Sequence, residues 1–258
     1  PPCPEPGQGT LPYRESMLTY TLFQRLLFRP VSKAVFRPWV RGEENIPAGG
    51  AIMACNHLSI GETFLLPAMI KPQMTFPVKA EMFQLPGVGG GIIGWFLTTV
   101  GQVPIDRSGG RASASGLDPV MQALRQGRLI GIFPEGTRSP DGNLYKGRTG
   151  VARMALEAKV PVVPVGMVGT QFKKKVLGIP LMDHPGIIIG KPLDFSEYAG
   201  RQGEMKVLRQ VTNQIMAAIQ DITGQRYIDV YATRVKMGDL KGKDVSGFEL
   251  ERPGDSAR

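Results

Sequence analysis

A histidine and a glutamate at short spacing are the strongest sign of chemistry in this sequence. His57 closely follows the apolar run AIMAC (51–55), so a buried strand would carry it at the carboxyl end, where α/β sheets present their sites. Glu62 lies five positions later. Five helical steps turn about 500°, so the two side chains meet only if His57 lies in a loop and Glu62 in the first turn of a helix. The carboxylate would then fix the imidazole tautomer, and the other ring nitrogen would act as a base toward a substrate hydroxyl.

The same residues have a second interpretation. Ser59 and Glu62 fit the S-x-x-E pattern of a capping box, in which the glutamate only caps a helix. The other histidine, His184, lies in the turn-like segment MDHPG and is predicted to be a surface residue. Spacing alone leaves both catalysis and capping open for Glu62.

A second polar cluster is FPEGTRSPDG, which begins at Phe133 after an apolar run. Gly136 allows close backbone approach, Thr137 and the amides can donate hydrogen bonds, and Arg138 can hold an oxyanion with two. The next cations along the chain are Lys146 and Arg148. They precede a predicted helix start, a position that favours anions. The cluster therefore indicates a phosphate site; the alternative is an ordinary strand-to-helix loop with solvated charges.

The elements that would position these clusters alternate along the chain. Apolar runs predict strands at 51–55, 74–80, 100–106, 128–133, 160–168 and 186–190. Helical periodicity predicts helices at 61–70, 112–126, 148–158 and 203–222, with a Gly-rich helix at GIIGWFLTTV. This alternation predicts an α/β fold with a central, mostly parallel mixed sheet flanked by helices.

The predicted organisation has four parts. Residues 1–15 are expected to form a flexible tail, residues 16–40 an N-terminal amphipathic helical segment broken near Pro30, residues 41–225 the α/β domain, and residues 226–258 a partly flexible C-terminal extension. In the helical segment a leucine stripe stands beside four cations at helical spacing: Arg25, Arg29, Lys33 and Arg37. This pattern is typical of a helix in a membrane interface, although a helix packed on its own domain with a solvated basic face has the same pattern.

Composition limits the classes of partner. The net charge of +9 favours an anionic partner, whereas an aromatic content of 7% argues against a nucleic-acid surface built on base stacking. No metal-spaced cysteine or histidine pair occurs, and the G-x-G-x-x-G match at Gly89, Gly91 and Gly94 does not follow a clean strand, so no bound cofactor or metal is expected. The uncharged stretch from Met82 to Ile105 is interrupted by proline and glycine, which favours a buried helix that lines an apolar groove over a membrane span.

Four segments together resemble the lysophosphatidic acid acyltransferases, the 1-acyl-sn-glycerol-3-phosphate acyltransferase family. The segments are NHLSIGE (56–62), VPIDR (103–107), FPEGTRS (133–139) and VPVVPV (160–165). Their order and spacing resemble those of the family over about residues 40–200. The segment YIDVYA (227–232) is similar to that of actinobacterial members.

The resemblance implies an activity and a set of roles. His57, oriented by Glu62, would take the proton from the hydroxyl of lysophosphatidic acid, which would attack an acyl-CoA or an acyl-carrier protein thioester. The resemblance further implies that the acceptor's phosphate is held by five residues: Lys79, Arg107, Glu135, Gly136 and Arg138. The enzyme would act peripherally on the cytoplasmic face of the cell membrane, at an anionic surface and without nucleic acid.

One departure from the family pattern keeps the acceptor open. The family acid is usually aspartate, and here it is Glu62. Acylation of glycerol 3-phosphate or of a glycolipid by the same mechanism is therefore an alternative. A non-catalytic protein that binds anionic lipid is another, and it would need no base at His57.

Overall fold

The computed structural model describes residues 21–99, 102–105, 118–176 and 179–255. Within these ranges the strands are β1 (Trp39–Arg41), β2 (Ala51–Cys55), β3 (Met74–Thr75), β4 (Pro77–Lys79), β5 (Val103–Ile105), β6 (Leu129–Ile132), β7 (Leu144–Tyr145), β8 (Val162–Val168), β9 (Phe172–Val176), β10 (Ile179–Met182), β11 (Gly186–Ile189), β12 (Tyr227–Ile228) and β13 (Glu249–Leu250).

The helices connect these strands as the alternating pattern predicts. They are α1 (Arg29–Phe36), α2 (Gly61–Met69), α3 (Gly87–Thr99), α4 (Asp118–Arg125), α5 (Gly150–Ala158), α6 (Met205–Thr223) and α7 (Ala232–Met237). A π-helical stretch covers Gln24–Phe28, and short 3-10 turns cover Glu43–Asn45, Ala80–Phe83, Ser196–Tyr198 and Ser246–Phe248.

The central sheet has the strand order β1-β11-β8-β2-β6-β3. The neighbours β8, β2, β6 and β3 are parallel, while β11 runs antiparallel to β8 and parallel to β1. The predicted mostly parallel mixed sheet flanked by helices is therefore confirmed. The single strand predicted at 74–80 is instead two short strands in different sheets, and Pro77, the first residue of the second strand, has no N–H to continue a ladder.

Two hydrophobic cores lie on opposite faces of the sheet, because successive side chains of a strand alternate between faces. On β2, Ile52 and Ala54 pack with α4, α5 and α6, whereas Met53 and Cys55 pack with α2. The strand is buried throughout. His57 thus follows a strand that has little freedom to shift.

The C-terminal part of the chain adds a third core and a small second sheet. β12 pairs in parallel with β7 and antiparallel with β13. Tyr145, Ile228 and Leu240 are buried in this third core. Sequence analysis expected a partly flexible extension, and the structure packs residues 227–250 of it against the segment that follows the 133–142 loop.

The N-terminal segment is helical from residue 21 to Phe36. The wider π-helical stretch stands where the break near Pro30 was predicted, directly before α1, and Pro30 occupies the first turn of that helix. The predicted amphipathic segment extends to residue 40, whereas Trp39 opens β1 of the central sheet. The tail predicted at 1–15 lies outside the described residues. Within the described ranges, no helix is long and apolar enough to cross a bilayer.

Candidate active site

The structure brings His57 and Glu62 together. His57 lies in the loop after β2, and Glu62 is in the first turn of α2. The Nδ1 atom of His57 lies 2.7 Å from Oε2 of Glu62, with the histidine side chain 15% exposed and the glutamate fully buried. A carboxylate only accepts hydrogen bonds, so the pair places the proton on Nδ1 and leaves Nε2 with the free lone pair.

Glu62 also caps the helix, so its two interpretations coexist. Its Oε1 accepts hydrogen bonds from the backbone amides of Leu58 at 3.0 Å and Ser59 at 2.8 Å. The Thr170 hydroxyl, from the segment after β8, donates to the same oxygen. One buried carboxylate therefore closes the start of α2 and orients the imidazole at the same time.

An aromatic residue fixes the plane of the imidazole. The ring of Phe133, which follows β6, stacks on His57 with centroids 3.9 Å apart and an interplanar angle of 16°. Because β2 and β6 are parallel neighbours, the residues that follow them meet at one edge of the sheet. The imidazole is thus held by Glu62 in its plane and by Phe133 on its face.

The 133–142 loop also holds the backbone of His57. The His57 amide donates to Oε2 of Glu135 at 2.9 Å, and the Ser139 amide donates to the His57 carbonyl at 2.7 Å. The other oxygen of Glu135 accepts from the Tyr145 amide at 2.9 Å. Glu135 is 1% exposed, and burial raises its pKa to about 8, although the two backbone hydrogen bonds act to lower it.

This placement gives Glu135 a different task from the one the resemblance implied. Both of its oxygens already accept hydrogen bonds from backbone amides. Its observed contacts position the loop that carries His57. We therefore assign the binding of the phosphate to other residues of the cluster.

Asn56 anchors the backbone directly before His57. Its fully buried amide exchanges two hydrogen bonds with the Met167 backbone, at 2.7 Å and 3.0 Å, and donates to Oε1 of Gln225 at 2.8 Å. Gln225 in turn donates to the Gly142 carbonyl at 2.6 Å. Sequence reasoning did not single out Asn56, Thr170 or Gln225, because their partners lie far along the chain.

The residues predicted to bind phosphate are arranged on the outer side of this loop. Gly136 has a φ of +76° and Arg138 is exposed beside the partly exposed Thr137. A Cβ at Gly136 would lie 2.6 Å from Nε of Arg148, so the glycine lets that guanidinium lie against the loop. The Gly136 amide donates to the Phe133 carbonyl at 3.0 Å and is not available to a substrate.

Three predicted site residues remain. Lys146 forms an ion pair with Asp229, 2.9 Å from Nζ to Oδ2, which offsets part of its charge. Lys79 ends β4, which pairs in parallel with β5. Arg107 lies outside the described residues. Among the described residues, no group of histidine, cysteine and acidic side chains is arranged to hold a metal ion.

A narrow apolar cavity of about 90 Å³ lies beside the rings of Phe76 and Phe133. Phe76 lines it and stacks on Phe133 with centroids 6.0 Å apart, and Phe133 stacks on His57. Its other lining residues include Phe28, Phe64, Val78 and Leu97. The cavity therefore connects the N-terminal segment, α2 and α3 with the surroundings of the imidazole.

Comparisons with known proteins agree with this arrangement. The Acyltransferase family profile matches residues 37–168. A chloroplastic 1-acyl-sn-glycerol-3-phosphate acyltransferase of Arabidopsis thaliana is 32% identical over 61% of this chain, and the match covers 44% of that relative. The 1-acyl-sn-glycerol-3-phosphate acyltransferase of Bacillus subtilis is 32% identical over 62% of this chain and 75% of its own length.

A solved structure shares the fold. The crystal structure of the 1-acyl-sn-glycerophosphate acyltransferase PlsC from Thermotoga maritima superimposes with a TM-score of 0.52 at 23% identity, over 79% of this chain and 77% of that chain. At this identity the likeness concerns the arrangement of helices and strands.

Proposed function

Because the chain belongs to the Acyltransferase family, we propose that it transfers a fatty acyl group from an acyl thioester to the free hydroxyl of lysophosphatidic acid and forms phosphatidic acid. The observation that carries this proposal is the 2.7 Å contact between His57 and Glu62 at the carboxyl end of a buried strand. The similar proteins of Arabidopsis thaliana and Bacillus subtilis are 1-acyl-sn-glycerol-3-phosphate acyltransferases, and they supply the acceptor in this proposal.

The chemistry needs one base and no covalent intermediate on the enzyme. Nε2 of His57 takes the proton of the acceptor hydroxyl as its oxygen attacks the thioester carbonyl. The resulting tetrahedral oxyanion collapses, the carbon–sulfur bond breaks, and the imidazolium returns the proton to the departing thiolate. Glu62 faces the imidazolium throughout and stabilises its charge.

The cations outside the 133–142 loop suit the acceptor's phosphate. Arg138 is exposed there and can present two parallel donors to a phosphate, and Thr137 stands beside it. We include Lys79 and Arg107 in this role on the resemblance described above. The phosphate would then lie on the outer side of the loop whose inner side holds His57.

The apolar cavity suits the start of an acyl chain. It lies beside Phe133, which stacks on the base, and it is lined by aromatic and aliphatic side chains. Phe28 and Phe64 join it to the N-terminal segment. A chain in this cavity would place its carboxyl end near His57 and its tail toward the apolar surface of that segment.

That surface is the proposed membrane contact. Leu22, Leu26 and Val31 are 58%, 71% and 50% exposed, and Phe64 of α2 is 63% exposed. Exposed apolar side chains beside cations are the pattern of a helix that lies in the headgroup region. We therefore place the enzyme peripherally on an anionic membrane, at its cytoplasmic face.

The experiment that tests the function compares four acceptors and two histidine variants. The protein is assayed with radiolabelled acyl-CoA and, in parallel, lysophosphatidic acid, glycerol 3-phosphate, a lysophospholipid and a glycolipid. A general base contributes about 10²- to 10⁴-fold in rate, so His57→Ala should lose that factor, whereas His184→Ala, at an exposed turn, should not. Preference for another acceptor would change the substrate, and activity of folded His57→Ala within about tenfold of the original would refute the mechanism.

A further inference from the structure

The C-terminal part of the chain, beyond the region matched by the family profile, borders the outer side of the 133–142 loop. We call this outer side the mouth of the site. The profile ends at residue 168, whereas Tyr231 and α7 pack against Arg148. Nη2 of Arg148 donates to the Thr233 hydroxyl at 3.2 Å, and its guanidinium lies 5.2 Å from the centre of the Tyr231 ring. Arg148 is thereby held between Gly136 of the loop and the C-terminal segment.

The position of this segment is fixed by several contacts. β12 pairs with β7, and the Lys146 amide donates to the carbonyls of Ile228 and Val230 at 3.1 Å and 3.2 Å. Arg209 of α6 donates to the Tyr231 hydroxyl at 2.9 Å and to the Gly147 carbonyl at 2.7 Å. The segment is therefore a fixed wall of the mouth.

One face of α7 carries two polar side chains beside this mouth. Thr233 and Lys236 are three positions apart and share a face of the helix. Thr233 contacts Arg148, and Lys236 is partly buried one helical turn further along α7. The pKa of Lys236 is lowered by burial and, second, by the positive charge of Arg138.

Three cations are gathered here, two guanidiniums and one ammonium. Arg138, Arg148 and Lys236 form no ion pair with an acid of the described residues, although the neighbouring Lys146 is paired with Asp229. Like charges at one mouth repel each other, and a bound anion would remove that repulsion. The mixture of two guanidiniums, a hydroxyl and an ammonium matches the several oxygens of a phosphate.

We propose that Thr233 and Lys236 of α7, together with Arg148 and Arg138, form a phosphate-binding subsite whose outer wall is the C-terminal segment. The ligand is a phosphate group. On the proposed function it is the phosphomonoester of the acceptor, which Arg138 is proposed to bind, and the test below distinguishes it from a phosphate of the coenzyme A donor. This inference rests on the proposed function for the identity of these substrates.

The test compares Lys236→Gln with a matched cation on the same helix. Arg234 is exposed and its Nε donates to Oδ1 of Asp239 at 2.9 Å, so Arg234→Gln removes the same charge outside the mouth. For each full-length variant, KM is measured for lysophosphatidic acid at saturating acyl-CoA and for acyl-CoA at saturating acceptor. Thermal unfolding verifies that each variant is folded.

We expect Lys236→Gln to raise KM for one substrate by about tenfold, as for the loss of a charge-assisted hydrogen bond, with kcat within about twofold. Lys236→Arg should restore most of the affinity, and Arg234→Gln should leave both KM values unchanged. A rise for lysophosphatidic acid assigns the phosphate to the acceptor, and a rise for acyl-CoA assigns it to the donor. Unchanged KM values, or equal effects of Lys236→Gln and Arg234→Gln, overturn the proposal.

A binding measurement separates this proposal from the proposed function. Equilibrium binding of lysophosphatidic acid and of free coenzyme A is measured by titration calorimetry and needs no turnover. If the unmodified protein transfers no acyl group but Lys236→Gln weakens binding of one ligand, the reaction is refuted and the subsite stands. If transfer occurs and neither ligand loses affinity in the folded variant, the subsite is refuted and the reaction stands.

Discussion

The backbone amide of His57 donates a 2.9 Å hydrogen bond to the side chain of Glu135, 78 positions away along the chain. The same carboxyl group accepts from the Tyr145 amide, so it joins the two segments on either side of the candidate site. The loop that carries the base is thus held by a buried acid that does not touch the imidazole. Precise orientation of a base increases the rate of a reaction by a large factor. We therefore count the two hydrogen bonds to Glu135, which we call the brace, as part of the proposed site.

The brace predicts a dependence of stability on pH. The pKa of Glu135 is about 8 in the folded chain against an ordinary 4.5, so between these values the folded chain keeps a proton that the unfolded chain has released. The free energy of unfolding contributed by this group therefore falls as pH rises from about 4.5 to about 8, and then levels off. Glu135→Gln should flatten this part of the curve, because glutamine does not titrate.

Denaturant unfolding between pH 5 and 8.5 measures this effect for both proteins. Glu197, an exposed acid in the 196–198 turn, supplies the control variant Glu197→Gln, which should follow the unmodified protein. Parallel curves for Glu135→Gln and the unmodified protein would contradict the prediction.

Glu62→Gln should abolish most catalysis with a moderate loss of stability. With its oxygen at the Oε1 position, glutamine still accepts from Ser59 and Thr170, but its NH₂ group faces Nδ1 of His57. It would donate there and select the tautomer with the proton on Nε2, which cannot act as the base. We expect kcat to fall at least about 10²-fold, and the lost Leu58 contact at Oε2 to lower stability by about 1 kcal/mol.

The tautomer change can be observed directly by nitrogen NMR of the His57 ring. Glu62→Asp keeps a carboxylate and should retain more activity than Glu62→Gln. Full activity of a folded Glu62→Gln variant would mean that Glu62 serves only as a helix cap.

Arg138→Ala should weaken the use of a phosphorylated acceptor more than the binding of the donor. Arg138 is exposed beside the loop and has no ion-pair partner among the described residues, so its charge is available to a ligand. We expect kcat/KM for lysophosphatidic acid to fall about 10- to 100-fold, as for loss of one or two charge-assisted hydrogen bonds. Arg201→Ala, which removes an exposed cation paired with Glu204, is the control. An unchanged acceptor dependence would place the phosphate elsewhere.

Polar replacement of the exposed leucines should release the protein from vesicles. Leu22→Ser and Leu26→Ser each remove an apolar side chain worth about 1.5–3 kcal/mol when buried, so each should weaken partition by about tenfold or more. Met205→Ser is the control, because Met205 is 59% exposed on α6, and α6 packs on the opposite face of the sheet from α2. Co-sedimentation with anionic vesicles at low and high salt measures the effect.

Substitution is the better test here than removal of residues 1–40. Such a truncation would also remove Trp39 of β1 and Gln24, whose amide donates to the carbonyls of Pro67 and Ile70 at 2.8 Å and 2.6 Å. Both belong to the packing of the domain. Equal vesicle binding by the leucine variants and the unmodified protein would show that the segment serves packing alone.

Local patterns predicted most of the fold, and the structure shows why. The buried strand before His57 and the helix that begins at Gly61 depend on side chains within a few positions, and both are observed. The contacts of Thr170 with Glu62 and of Glu135 with His57 join residues 108 and 78 positions apart. No local periodicity encodes such pairs, so the brace around the base and the task of Glu135 required the three-dimensional structure.

The C-terminal extension illustrates the same limit. Its pairing was not predicted from the sequence: Tyr227 and Ile228 are buried and pair with β7. A two-residue strand is too short to be recognised by alternation. The position of β12 depends on its pairing with β7 and on the ion pair between Asp229 and Lys146. The residues of β12 alone do not predict either partner.

The long separations within the site also set an order of events during synthesis. The helical residues 21–36 leave the ribosome ahead of strands β1 to β13, whereas Glu135 follows His57 by 78 residues, Thr170 follows Glu62 by 108, and Asp229 follows Lys146 by 83. A growing chain therefore exposes the leucines proposed to contact lipid well before His57 has been held in place. On the proposed function, a nascent fragment released early would settle on a bilayer without an aligned base, and so could not acylate the lipids around it.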